Sequence, residues 1–334
     1  MRRIIYLIIL ALAIAAPSAS AQDRSSKPRT LYVTAESSKT GFVGGLKAEN
    51  FQILENKKEL PVELFAAGQP ASVGFLFDVS GSVSGISIRD VNDTAAAISE
   101  SIRNNSVKNE YFLIGFNRSV ALLADWTADA GQISKGLDDL PSIQNKSNSY
   151  FTSFYDAFSR AVEQFSTAKN EKRILIMFTD GIDSGSKARR KEIMEKAFGS
   201  DIIVYSVTLM PAVVVVHRDI QTSYPSSIPE MEGEDFLDDI TGMTGGRRYK
   251  IPTSNPESVI RTHKADDRSA ASRAFASILA ELNSQYSIKY YPAINSNSEQ
   301  PRLLSVRLTV PKEVKRKNGA ISLRYRQKYK FDQR

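Results

Sequence analysis

The chain has 334 residues, enough for one large domain and a small one. It contains no cysteine, which excludes disulfides and a lipid anchor on a cleavage-site cysteine. The formal net charge is +7, but the excess is local: Arg302 to Arg334 holds eleven Lys/Arg against Glu313 and Asp332, and the rest of the mature chain is net acidic. That tail carries no recognition motif, so nucleic acid is not an expected partner.

At the N-terminus, Arg2 and Arg3 precede an almost unbroken apolar stretch, Ile4 to Ala16, and then Ala19-Ser20-Ala21. This order is that of a secretory signal peptide over 1–21, with Gln22 as the first mature residue. The alternative is an uncleaved anchor, for which the apolar run is short. Residues 22–29 are polar and read as a disordered leader. A periplasmic or secreted protein is the expectation.

Residues 30–68 read as an N-terminal β segment. Leu31 to Ala35 alternate as a half-buried strand does. Phe51 to Leu54 and Pro61 to Phe65 flank the turn-like run Glu55 to Glu59, which predicts a hairpin. Gly68-Gln69-Pro70 then punctuates the chain.

Between 69 and 284 strands and helices alternate. A strand ends at Asp78, and a helix follows Ser82 with Val91, Ala95, Ile98 and Ile102 on one face. Tyr111 to Phe116 reads as a buried strand with a short partner, Val120 to Leu123. Phe154, Phe158, Ala161, Val162 and Phe165 mark a helix after Thr152. Strand Lys172–Phe178, helix Ala188–Phe198 and strand Ile202–Val207 follow. Near-continuous apolar strands between helices require a mostly parallel sheet covered on both faces, an α/β doubly wound fold. Ligands of such sheets bind where strands end at their carboxyl edge.

Met210 to Glu234 breaks this pattern with three prolines and the run Val213 to Val216. It reads as a strand extension or hairpin, or alternatively as a partner-docking surface. A short helix, Asp235 to Thr241, precedes glycine-rich turns and the strand Arg247 to Ile251. A last amphipathic helix, Asp267 to Ser284, places Ala271, Ala274, Ile278 and Leu282 on one face. Residues 285–334 read as a C-terminal β segment with strands at Tyr286–Tyr291, Leu304–Val310 and Ile321–Phe331. In the last of these, charges alternate with Leu323, Tyr325, Tyr329 and Phe331, the period of a strand with one solvated basic face.

The run Asp78-Val79-Ser80-Gly81-Ser82 gathers one carboxylate and two hydroxyls in a single turn at a strand end. Thr152 and Asp180 add further oxygens, Asp180 again closing an apolar strand. Oxygen donors without nitrogen or sulfur suit a hard cation. Blander readings exist for each piece. Asp78 and Ser80 serve as helix caps, Asp180-Gly181 and Asp183 as turn residues, and Asp156 as a first-turn acid.

Taken together, Asp78, Ser80, Ser82, Thr152 and Asp180 resemble the metal-ion-dependent adhesion site of von Willebrand factor type A domains. That pattern is Asp-x-Ser-x-Ser, then a distant Thr, then a distant Asp. The resemblance implies such a domain over 69–284. It also implies that Ser80, Ser82 and Thr152 meet a divalent cation directly, while Asp78 and Asp180 act through bound waters. Mg²⁺ is the expected cation, with Mn²⁺ or Ca²⁺ as alternatives. Neutral hydroxyls leave the cation's charge poorly neutralised, so the expected partner is a protein presenting Asp or Glu. One departure stands out: Ser149-Tyr150-Phe151 occupies the place where many relatives carry two glycines, so Tyr150 and Phe151 are expected to narrow or shield the site.

The flanks resemble those of a narrower exported bacterial group, the von Willebrand factor A-related proteins common in Acidobacteria. Gly45-Leu46 with Asn50-Phe51, Thr244-Gly245-Gly246, and Gln285 to Pro292 carry that likeness. It implies that the two flanks pair into one small β module. The expected function is a binding module rather than an enzyme. A structural envelope protein with an empty site is the alternative, and a metal-assisted hydrolase a further one. Catalysis lacks parts: the only histidines are His217 and His263, and no Gly-x-Ser-x-Gly elbow or nucleotide-binding glycine loop occurs.

Overall fold

A computed structural model describes residues 27–80, 88–104, 107–145, 151–210, 228–252, 270–293 and 301–330. The N-terminal flank supplies β1 (Arg29–Ser37), β2 (Gly41–Phe42), β3 (Phe51–Glu55), β4 (Lys58–Leu60) and β5 (Val62–Ala67). The central region runs β6 (Ala71–Asp78), α1 (Ile88–Asn104), β7 (Glu110–Phe116), β8 (Val120–Thr127), α2 (Ala130–Asp138), α3 (Leu140–Asn145) and α4 (Phe154–Gln164). It continues through β9 (Lys172–Phe178), α5 (Arg190–Gly199), β10 (Ile202–Met210), α6 (Ile228–Thr244), β11 (Arg248–Pro252) and α7 (Ala270–Ser284). The C-terminal flank adds β12 (Tyr286–Tyr290), β13 (Arg302–Leu308), α8 (Lys312–Asn318), β14 (Ser322–Arg324) and β15 (Lys328–Tyr329).

The central sheet has six strands in the order β11-β10-β9-β6-β7-β8. All neighbours are parallel except β8, which runs antiparallel at the edge. Successive strand residues face opposite sides, so a strand buried on both faces must be apolar throughout. Phe75 and Phe77 accordingly pack with Ile98 of α1, Ile133 of α2 and Ile278 of α7. Leu76 packs on the other face with Phe158 of α4, Ile193 of α5 and Ile240 of α6. This is the doubly wound arrangement that the sequence predicts.

The flanks build two antiparallel sheets. One has the order β14-β1-β12-β5 with β2 added to β1, and the other the order β15-β13-β3-β4. Each sheet joins strands from both ends of the chain; Leu31 opposes Ile288, and Val306 opposes Ile53. Val33, Ile53, Tyr286, Ile288 and Tyr329 form their common core. The pairing of the two flanks into one β module therefore holds.

Several local expectations change. The hairpin turn is only Asn56 and Lys57, both at positive φ (47° and 71°), and β3 pairs with β4. Left-handed residues suit a two-residue hairpin because they follow the strand twist. Pro61 interrupts that ladder, and β5 pairs with β12 instead. The short helix expected at Asp235–Thr241 spans Ile228–Thr244, so the last part of the irregular stretch 210–234 is helical. Residues 211–227 lie outside the described residues. Helices α2, α3 and α8 were not anticipated.

The expected strand Ile321–Phe331 is split into β14 and β15, which join different sheets. Between them Arg326 is buried, not solvated, and donates to the carbonyls of Phe198 (3.2 Å) and Ile202 (2.7 Å). Gly245 permits this docking. It sits at φ 85°, and a Cβ there would lie 2.6 Å from the Arg326 amide nitrogen.

Candidate functional site

β6 and β9 end side by side at the carboxyl edge of the sheet, with Phe77 opposite Phe178 and their rings stacked 4.3 Å apart. Immediately above them sit Asp78 and the Thr179-Asp180 pair. The main chain places both acids there because Asp78 ends β6 and Asp180 lies two residues past β9, each strand being anchored by a buried apolar run. Asp78 is 7% exposed. One of its oxygens accepts from the Ser80 amide at 2.9 Å, and the other accepts from the Thr179 hydroxyl at 2.7 Å. Asp180 is half-buried and accepts from the Ile182 amide at 3.0 Å.

Burial, reinforced by the charge of Asp180, pushes the Asp78 carboxyl up to about 7, while the Ser80 and Thr179 hydrogen bonds pull the other way. Among the described residues no lysine or arginine pairs with Asp78. Ser80 is buried beside it.

Thr152 approaches from the loop before α4 and is also buried. Its amide donates to the Ser184 hydroxyl (2.9 Å), and its carbonyl accepts from the amides of Ser184 (3.0 Å) and Gly185 (2.9 Å). The Ser153 amide donates to the Asn117 carbonyl at 2.7 Å, and the Val79 amide donates to the Phe116 carbonyl at 2.8 Å. The loops bearing Asp78, Thr152 and Asp180 are thus laced to one another around the end of β7. Helix α6 closes the far side. Gly181 stands at φ 81°, and a Cβ there would lie 2.6 Å from the Gly233 carbonyl oxygen.

Ser82 and Tyr150 lie outside the described residues. Phe151 is 53% exposed, pointing away from the packed interior. Asp183 accepts from the Tyr155 amide (3.1 Å) and the Ser186 hydroxyl (2.5 Å). Asp156 accepts from the amides of Lys187 (3.0 Å) and Ala188 (2.9 Å). Asp183 orders its own turn, as expected; Asp156 lies in the first turn of α4, as expected, and also holds the loop before α5. Thr179, Ser184 and Asn117 were not singled out from the sequence. Only Thr179 carried a signal, as the hydroxyl adjoining Asp180.

The donors gathered here are carboxylates and hydroxyls, the chemistry of a hard-cation site. Among the described residues no three acids or histidines cluster together. Two carboxylates converge, and the remaining donors are hydroxyls. A buried acid pressed by a second acid, without a basic partner of its own, is a fit for a divalent cation.

Residues 73–182 match the family model described as von Willebrand factor type A domain. No curated protein matches the chain. Among solved structures, an aerotolerance-related membrane protein from Bacteroides fragilis NCTC 9343 is 16% identical, with 64% of this chain and 98% of that chain covered and a TM-score of 0.43. The conserved hypothetical protein BatB from Bacteroides thetaiotaomicron is 15% identical, with the same coverage and TM-score. Proximal thread matrix protein 1 from the mussel byssus, with a zinc-occupied MIDAS motif, is 10% identical, with 70% of this chain and 50% of that chain covered and a TM-score of 0.45.

Proposed function

We propose that this chain, which carries a von Willebrand factor type A domain, is an exported protein-binding module that engages a partner carboxylate through a divalent cation. Ser80, Ser82 and Thr152 would hold the cation by their hydroxyls, with Asp78 and Asp180 acting through water. Mg²⁺ is the first choice, and Mn²⁺ or Ca²⁺ the alternatives. The bound ion would supply an open position for an Asp or Glu of another protein. The observation that carries this reading is the convergence of Asp78 on Asp180, with burial and like charge raising the Asp78 pKa.

Binding is preferred to catalysis on the sequence, which holds no Gly-x-Ser-x-Gly elbow and no nucleotide-binding glycine loop. Both histidines fall outside the described residues. Export rests on the signal-like residues 1–21, also outside them. Among the described residues no helix is long and apolar enough to cross a membrane.

Thermal unfolding of the mature chain with EDTA and with saturating Mg²⁺ or Mn²⁺ tests the reading. A midpoint that rises with metal, and does not rise in Asp78→Ala, is the expected result. A structural envelope role with an empty site is the second reading. It is favoured by the two protein donors that already satisfy the Asp78 oxygens. No shift, and no heat on calorimetric titration with any divalent ion, would establish that alternative.

A further inference from the structure

Phe151 and Arg118 stand together at the rim of the candidate site. Phe151 is the most exposed large apolar side chain among the described residues, at 53%. It directly precedes the buried Thr152. The Arg118 guanidinium lies 5.8 Å from the centroid of its ring. Arg118 is exposed, and no acid pairs with it among the described residues.

Nothing in the packing of the core requires this arrangement, yet the backbone beneath it is firmly held. The Ser153 hydroxyl donates to the Arg118 carbonyl at 2.9 Å, and the Ser153 amide donates to the Asn117 carbonyl at 2.7 Å. The Asn117 side chain accepts from the Ser119 amide at 2.9 Å and donates to the Ile143 carbonyl at 2.9 Å. Gly185 lies under Phe151, where a Cβ would sit 3.4 Å from the Phe151 Cβ. The loop segments carrying Phe151 and Arg118 are therefore fixed relative to each other and to Thr152. Ordering them on association costs less entropy than ordering a loose loop. Aromatic and arginine side chains are the types enriched at protein interfaces.

Resting on the cation reading proposed for this site, we infer that Phe151 and Arg118 select the partner's sequence around its acidic residue. The partner segment carries an Asp or Glu for the cation, a bulky apolar neighbour that lies on Phe151, and a second acid that pairs with Arg118. Charge complementarity sets this choice. A cation site and an arginine side by side favour two acids and repel lysine or arginine in the same segment. The exposed ring provides the apolar contact between them.

The probe is a positional-scanning array of hexapeptides with a fixed central Asp, read with the fluorescently labelled mature chain in Mg²⁺ and in EDTA. Expected is Mg²⁺-dependent retention that is about tenfold higher when a flanking position holds Phe, Trp or Leu and another holds Asp or Glu than when both hold Gly. Phe151→Ser removes the apolar preference alone, and Arg118→Ala removes the second-acid preference alone. Both side chains are exposed, so both variants fold, and both keep the wild-type heat of Mg²⁺ titration. Wild-type Mg²⁺ binding with no flanking preference, with no peptide retained, or with preferences unchanged in the two variants overturns this inference and leaves the cation reading intact. Absence of Mg²⁺ heat in the wild type overturns the cation reading and this inference with it.

Discussion

Glu281 of α7 and Arg324 of β14 form an ion pair at 2.7 Å, joining the central region to the flanking β module. Glu281 is fully buried, and its other oxygen accepts from the hydroxyls of Tyr205 (2.6 Å) and Thr34 (3.0 Å). One carboxylate thereby ties β1, β10, α7 and β14 together. Gln285 extends the network by donating to Tyr205 at 3.0 Å.

Removing that charge leaves Arg324 without its counter-ion. Glu281→Gln is expected to lower stability by about 1–3 kcal/mol, because Glu281 is fully buried while the Arg324 side chain keeps partial contact with water. Glu281→Gln combined with Arg324→Met should recover part of the loss. Urea unfolding of the wild type, the two single variants and the double variant measures the coupling. Additive single effects would mean that the pair does not act as a unit.

Lys172 makes stability depend on pH. It is buried at the start of β9, where its ammonium donates to the Leu282 carbonyl at 2.6 Å. Burial lowers its pKa to about 7, with Glu281 acting in the opposite direction. The unfolded chain holds this proton up to its ordinary pKa near 10.5, whereas the folded chain releases it near 7. Between these values the unfolded state binds more protons, so stability contributed by this group rises with pH. The wild type should gain on Lys172→Met between pH 7 and 10, by at most about 1.4 kcal/mol per pH unit. Parallel stability-versus-pH curves for the two proteins would contradict this.

Asp78→Asn separates the acid's two roles. The shape is kept, while the buried charge that faces Asp180 is removed. At pH 8 without metal the variant should be more stable than the wild type, by on the order of 1 kcal/mol. It should also lose the rise in unfolding midpoint with Mg²⁺. A variant that keeps the full metal response would remove Asp78 from the site.

The turn after Asp180 depends on glycine. Gly181→Ala imposes a side chain at φ 81° and a Cβ 2.6 Å from the Gly233 carbonyl oxygen. Backbone strain alone costs about 1 kcal/mol, and the clash adds to it by displacing α6 or the Asp180 loop. Lower stability together with weaker Mg²⁺ binding is expected. Gly199→Ala is the control, since a Cβ there meets nothing within 4 Å. Equal effects from the two substitutions would refute the argument from close approach.

Much of the central region was legible because its signals are local. The apolar runs of β6, β7 and β9 announce strands covered on both faces, and the helical period around Ile98 and Ile102 survives in the packing. Asp78 and Asp180 were visible as acids closing such strands. The short amphipathic pieces were harder. Helix α8 is a charged seven-residue segment whose period is too brief to stand out, and its place depends on Asn318 receiving the Thr40 hydroxyl at 2.5 Å.

By itself, the sequence determined the alternation of strands and helices, the carboxyl-edge position of the two acids and the division into a central region with β flanks. These follow from periodicity and turn chemistry within a few residues. Only the tertiary structure decided that β5 leaves β4 for β12, that Arg326 is buried, and that Thr179 closes on Asp78. The same holds for the meeting of Thr34 and Glu281, which are 247 residues apart. Such contacts depend on strand register and on which faces become covered, and chain neighbours do not encode either one.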